Sequence, residues 1–202
     1  NTSNNGINIE NGAEILNKTD AVYITNTGAQ GINVKGHVTG NGINIDNKNS
    51  DVVIGYNTGK DYLTSTGNVN IKVNNGNIYN YGTKANLIKA DGNLVMEVQD
   101  GAIGKDLGNC DGGVCTGIGT SARDLTKSVN TTVKGTVKAV STGKNSLANI
   151  ASLNTDLNVD QIKADGKVIL LADSEVKGSK AFDIVNRASD KTKPNVEGSG
   201  IS

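Results

Sequence analysis

Apolar and polar residues alternate along most of this chain. Val69, Ile71 and Val73, then Leu94, Met96 and Val98, then Val168, Leu170 and Ala172 put an apolar side chain at every second position. That is the period of a strand, not of a helix. Shorter runs of the same kind are Ile7 to Ile9, Val22 to Ile24, Ile32 to Val34, Ile43 to Ile45 and Val52 to Ile54, parted by Asn, Gly, Thr and Asp. Those separators are turn residues. Alternation lapses between Gly101 and Ser128, resumes at Val129 and fades beyond Phe182, so Asp190 to Gly200 reads as loop or frayed end.

The runs also repeat. Gly67-Asn68-Val69-Asn70-Ile71-Lys72-Val73 returns as Gly92-Asn93-Leu94-Val95-Met96-Glu97-Val98, and Gly6-Ile7-Asn8-Ile9 returns as Gly31-Ile32-Asn33-Val34, both displaced by 25 residues. Ile88-Lys89-Ala90-Asp91-Gly92 recurs as Ile162-Lys163-Ala164-Asp165-Gly166 at 74, near three periods. Repeats of this length mean solenoids, and a strand period inside each repeat makes each one a β coil. The expected fold is a right-handed parallel β-helix of about 25 residues per coil, roughly eight coils and ~40 Å long at ~4.8 Å per coil. It is read as one β-helical segment over 1–202, cut from a longer protein, with an extra-helical loop at 104–128. Equivalence of the repeats predicts Val69, Leu94 and Val168 in one inward row and Ile71, Met96 and Leu170 in the next.

Composition agrees with this reading. Aromatic residues make up 3% of the chain and apolar residues 35%, poor for a globular core but suited to a narrow interior of Ile, Val, Leu and Ala. One proline, Pro194, fits strands whose N–H groups must all donate to neighbouring coils. Asn residues fit amide ladders between coils or left-handed turns. Twenty basic residues balance 20 acidic ones, which gives no reason to expect nucleic acid or anionic lipid as partner.

Candidate chemistry is sparse. Cys110 and Cys115 bracket Asp111-Gly112-Gly113-Val114, a spacing that favours a local disulfide in an exported protein over two free thiols. His37 is the single histidine, so zinc lacks ligands, and no metal or cofactor is expected. Asn154-Thr155-Asp156 has the form of a polygalacturonase motif, but the Asp-Asp, Gly-His-Gly and Arg-Ile-Lys groups that complete it are absent. Glycoside hydrolysis needs two placed carboxyl groups, so the chain is expected not to be an enzyme. Tyr56 and Tyr81 lie 25 residues apart, where stacked coils would bring their rings together as a cross-strand pair or as a face for a ligand. Asn17-Lys18-Thr19 and Asn130-Thr131-Thr132 match the glycosylation acceptor pattern.

Units such as Ala90-Asp91-Gly92-Asn93-Leu94 and Ala164-Asp165-Gly166-Lys167-Val168-Ile169-Leu170-Leu171-Ala172 resemble the repeats of filamentous-haemagglutinin-type adhesins. The stretch from Ser128 to Gly166 is similar to the large filamentous adhesins named after fusobacterial leukotoxin. The resemblance covers about residues 67 to 180. It implies two-partner or related export through an outer-membrane transporter, a right-handed β-helical shaft that is secreted or held at the bacterial surface, and contact with a cell-surface receptor or glycan. Asn5-Gly6-Ile7 and Asn41-Gly42-Ile43 lack the proline of the family's secretion-recognition motif, which favours a piece of shaft. The function this implies is attachment by a monomeric stalk or display surface. A receptor-binding part of a toxin-delivery filament, distinguished by a surface patch near 101–128, and a carbohydrate-active enzyme are the alternatives.

Overall fold

The structure, a computed structural model, describes residues 5–56, 59–106, 125–174, 182–188, 190–192 and 194–201. The described residues form 19 strands in one sheet in which every pairing is parallel, the arrangement of a β-helix. Equivalent strands of successive coils lie side by side on three faces.

The first face carries β1 (Ile7–Ile9), β3 (Ile32–Val34), β5 (Val52–Ile54), β8 (Ile78–Asn80) and β11 (Ala102–Ile103). It continues through the first halves of β14 (Leu147–Leu153) and β16 (Lys167–Asp173) to β19 (Gly200–Ile201). Ile7, Ile32, Val52, Ile78, Ile103, Ala148, Val168 and Ile201 align across it, so the rod has eight rungs among the described residues. The second face carries the first halves of β2 (Glu14–Asn26) and β4 (His37–Asn47), then β6 (Leu63–Ser65), β9 (Ile88–Ala90), β12 (Val129–Val133) and the second halves of β14 and β16. The third and widest carries the second halves of β2 and β4, then β7 (Val69–Asn74), β10 (Leu94–Gln99), β13 (Val137–Thr142), β15 (Leu157–Ala164), β17 (Ile184–Asn186) and β18 (Val196–Glu197).

Alternation becomes burial directly. In β7 and β10 the alternating residues Val69, Ile71, Val73, Leu94, Met96 and Val98 are at most 3% exposed, while the residues between them face out. Val69, Ile71, Leu94, Met96 and Val168 point inward as expected, and Leu170 is half-buried against the same core. Each such side chain contributes about 1.5–3 kcal/mol when fully buried, and the neighbouring rung supplies that burial.

Four corrections follow from the strand pairing. Val168 does not continue the Val69–Leu94 row: that row proceeds to Val137 and Val159 on the third face, whereas Val168 pairs with Ala148 and Ile201 on the first. Coil length is not constant either. From Ile32 to Val52 is 20 residues, as is Ala148 to Val168, while Val52 to Ile78 is 26. Short coils arise where one strand rounds a corner without a loop, as β4, β14 and β16 do. The chain beyond Asp190 is not all loop: β18 pairs with Ile162–Lys163 and β19 with Lys167–Val168. Glu14 to Asn17, which lacks clean alternation, also forms strand, paired with His37 to Gly40.

Corner chemistry explains the Gly-Asn pairs. Asn68 Oδ1 accepts the Asn93 N–H and Asn93 Oδ1 accepts the Thr136 N–H, each at 2.8 Å. At the next corner Asp51 Oδ1 accepts from Asn77 (2.9 Å) and Asn77 Oδ1 from Ala102 (2.8 Å). The glycine beforehand is needed because the adjacent rung comes so close: a Cβ on Gly92 would lie 2.7 Å from the Gly67 carbonyl carbon. Amide ladders and left-handed turns are both present. Asn33 bonds Asn8 and Asn70 bonds Asn44, both at 2.9 Å, while Asn75 and Asn154 have φ of 54° and 63°.

Candidate functional site

Two surfaces stand out on the rod, a corner of stacked loops and a trough on the third face. The corner joins the first face to the second, at the connections from β5 to β6 and from β8 to β9 and at the insertion between β11 and β12. Tyr56 and Tyr81 meet there with ring centroids 5.7 Å apart and planes at 37°. Tyr81 is 47% exposed and its N–H donates to Ile54 O at 3.0 Å. Tyr62, by contrast, is buried, stacks on the exposed His37 ring at 5.6 Å, and donates its hydroxyl to the Tyr56 carbonyl.

Buried asparagines hold this corner together. Asn80 Oδ1 accepts the N–H groups of Gly82 (2.8 Å) and Thr83 (3.0 Å), and its Nδ2 donates to the carbonyls of Thr83, Leu125 and Ser128 at 2.7, 2.8 and 3.0 Å. Asn130 Nδ2 reaches the carbonyls of Ala85 (3.0 Å) and Leu125 (2.9 Å). Both side chains are fully buried, and their bonds satisfy loop backbone that water cannot reach. Lys105, at the foot of the insertion, sits 5.0 Å over the Tyr79 ring. Burial, and after it the Asp51 carboxylate, raise the Tyr79 phenol above its ordinary 10.0. Cys110 and Cys115, with the residues between them, lie outside the described residues.

The trough lies across the strands of the third face, over two outward rows set by the register. One runs Tyr23, Asn44, Asn70, Val95, Lys138, and the other Thr25, Asp46, Lys72, Glu97, Val140. A hollow of about 360 Å³ is lined by Tyr23, Asn44, Asn70, Asp46 and Lys72 among others. A second, of about 210 Å³, shares Lys72 and Glu97 with it and extends to Gln99 and Thr142. Lys138, paired to Glu97 at 3.2 Å, lines a third of about 240 Å³ with Asp160, Gln161 and Pro194. Asp160 is the extra residue of a bulge, where Val137 and Lys138 face Val159 and Gln161. Bulges of this kind re-aim the strand next to them.

Tyr23 was not among the sequence candidates. It stands 75% exposed, the most exposed large apolar or aromatic side chain among the described residues. Its signal in the sequence is position: it is the outward member of Val22-Tyr23-Ile24, where its neighbours on the next rungs are asparagines.

The remaining candidates are turn residues. Asp156 Oδ1 accepts the Asp183 N–H at 3.1 Å, and Asn154 Oδ1 accepts from the Ser174 hydroxyl at 3.4 Å. The two acceptor sequons separate clearly. Asn130 is buried, whereas Asn17 sits in an exposed bulge, its Oδ1 accepting from the Thr19 hydroxyl (3.2 Å) and the Asp20 N–H (3.1 Å). No protein-family model, no curated protein and no solved structure matches the chain.

Proposed function

We propose that the chain is a segment of an extracellular bacterial adhesin, a β-helical shaft whose outer faces serve as a display surface for attachment and perform no catalysis. The observation that carries this reading is the stack of eight parallel rungs around one apolar column. Such a rod holds outward side chains at fixed spacing along an extended face, which is how solenoids meet their partners. Charge supports it too. Lys35 with Glu10, Lys138 with Glu97 and Lys163 with Glu197 pair between rungs at 3.2–3.4 Å, so recognition falls to fitted polar and aromatic groups rather than to long-range steering. The resemblance to filamentous-haemagglutinin-type repeats supports export through an outer-membrane transporter and a place at the cell surface.

Beads coated with the 202-residue chain and offered to epithelial and bacterial cells test this reading. Retention above that of albumin-coated beads is expected, with no release of reducing ends when the same protein is incubated with pectins and other polysaccharides. Failure of retention on every cell type, or turnover of a polysaccharide, would overturn it.

A further inference from the structure

The trough on the third face suits a chain-like ligand. Its hollows follow one another across the strands, whose spacing of ~4.8 Å is close to the length of one pyranose unit. Its rows hold Asp46 and Glu97 against Lys72 and Lys138, which leaves no net charge to attract a polyanion or a polycation.

Its polar atoms remain open to hydroxyl groups. The 2.9 Å bond from Asn70 to Asn44 uses one donor and one acceptor. The amide nitrogen of Asn44 and the amide oxygen of Asn70 are left to donate and accept. At the end of the row stands Tyr23, an exposed ring above neighbours that do not pack it, offering an apolar face beside these amides.

We infer that this trough binds a neutral linear oligosaccharide laid across the rungs. Tyr23 stacks under one sugar ring, while Asn44 and Asn70 hold the hydroxyls of the units beside it. The inference rests on the display reading above and gives that surface a ligand class. It also places the contact on the third face and not at the Tyr56 and Tyr81 corner.

Calorimetric titration of the full chain with cellohexaose, laminarihexaose, maltohexaose and mannohexaose, and with a heparin hexasaccharide, tests it. At least one neutral hexasaccharide is expected to bind. Tyr23→Ala should weaken that binding about tenfold, as loss of a stacked ring does, and Tyr81→Ala should leave it unchanged. Tyr23 is outward and exposed, so the variant keeps the fold, which an unchanged circular dichroism spectrum verifies. Binding by none of the neutral sugars, binding by heparin alone, or binding indifferent to Tyr23→Ala would each overturn the inference. Coated beads that still hold to cells in any of those cases leave the display reading standing and move its contact elsewhere.

Discussion

Leu94 and Val95 are adjacent in β10 yet face opposite ways, which makes them a direct test of the register. Leu94 is fully buried between Val69 and Val137, while Val95 faces out between Asn70 and Lys138. Leu94→Ala removes three carbons at about 0.8 kcal/mol each, ~2.4 kcal/mol of transfer free energy. The cavity then adds to this, because the rungs cannot close on it: their spacing is held by the bonds Val69 N–H to Asn93 O and Leu94 N–H to Thr136 O, both 2.9 Å. The total comes to about 3–4 kcal/mol, inside the range measured for buried leucine truncations. Val95→Ala, half-exposed and on the trough side, should cost about 0.5 kcal/mol or less. Urea unfolding followed by far-UV circular dichroism reads the difference, and hydrogen exchange of the β10 amides reads it again if the stack opens locally rather than all at once. Equal losses from the two variants, or a larger loss from Val95→Ala, would refute the inward and outward assignment. A slip of one residue would produce that reversal by sending every side chain of the strand to the other face.

Asn80→Ala removes five hydrogen bonds from a fully buried corner, among them those to the Ser128 carbonyl and the Gly82 and Thr83 N–H groups, so a loss of about 1–3 kcal/mol is expected. Faster proteolysis within 81–87 or 104–128 should accompany it while the third-face strands keep their exchange protection; unaltered cleavage would count against the asparagine as the tie between these loops. Because the Tyr79 phenol is raised in the folded state, its contribution to stability is present in full below the ordinary tyrosine range and lost as pH rises through the folded value. The urea midpoint should therefore fall more steeply above pH 10 in the parent than in Tyr79→Phe, and identical alkaline profiles would argue against it.

Much of the fold is legible because one physical requirement recurs in every coil. An inward side chain must be apolar and its neighbours need not be, so β7 and β10 announce themselves through strict alternation. Legibility fails where the requirement relaxes. Glu14 to Asn17 lies on the first rung described, Ile15 is 37% exposed there, and an apolar pattern has little to enforce it. Thr131 and Ser152 occupy inward positions yet are polar, because their hydroxyls bond the carbonyls of Ala151 (3.2 Å) and Thr155 (3.0 Å). Near the other end, Val196–Glu197 and Gly200–Ile201 are too short to show a period, and only their partners on the preceding rung define them as strands.

The misplaced repeat shows what the sequence encodes and what it does not. Asp91-Gly92 turns the chain from the second face to the third, whereas Asp165-Gly166 turns it from the third to the first. Both corners bring backbone of an adjacent rung against the glycine, and both carboxylates face solvent at least in part, so the same dipeptide serves at either. A Gly-containing corner motif therefore marks that the chain bends but not which corner it forms, and coil lengths that range from 20 to 45 residues shift the count further. The trough depends on that count. Tyr23, Asn44 and Asn70 are 21 and then 26 residues apart, and no single period aligns them. They become neighbours only when each loop and corner has taken its own length, so a site of this kind is written across coils and becomes visible once they are stacked.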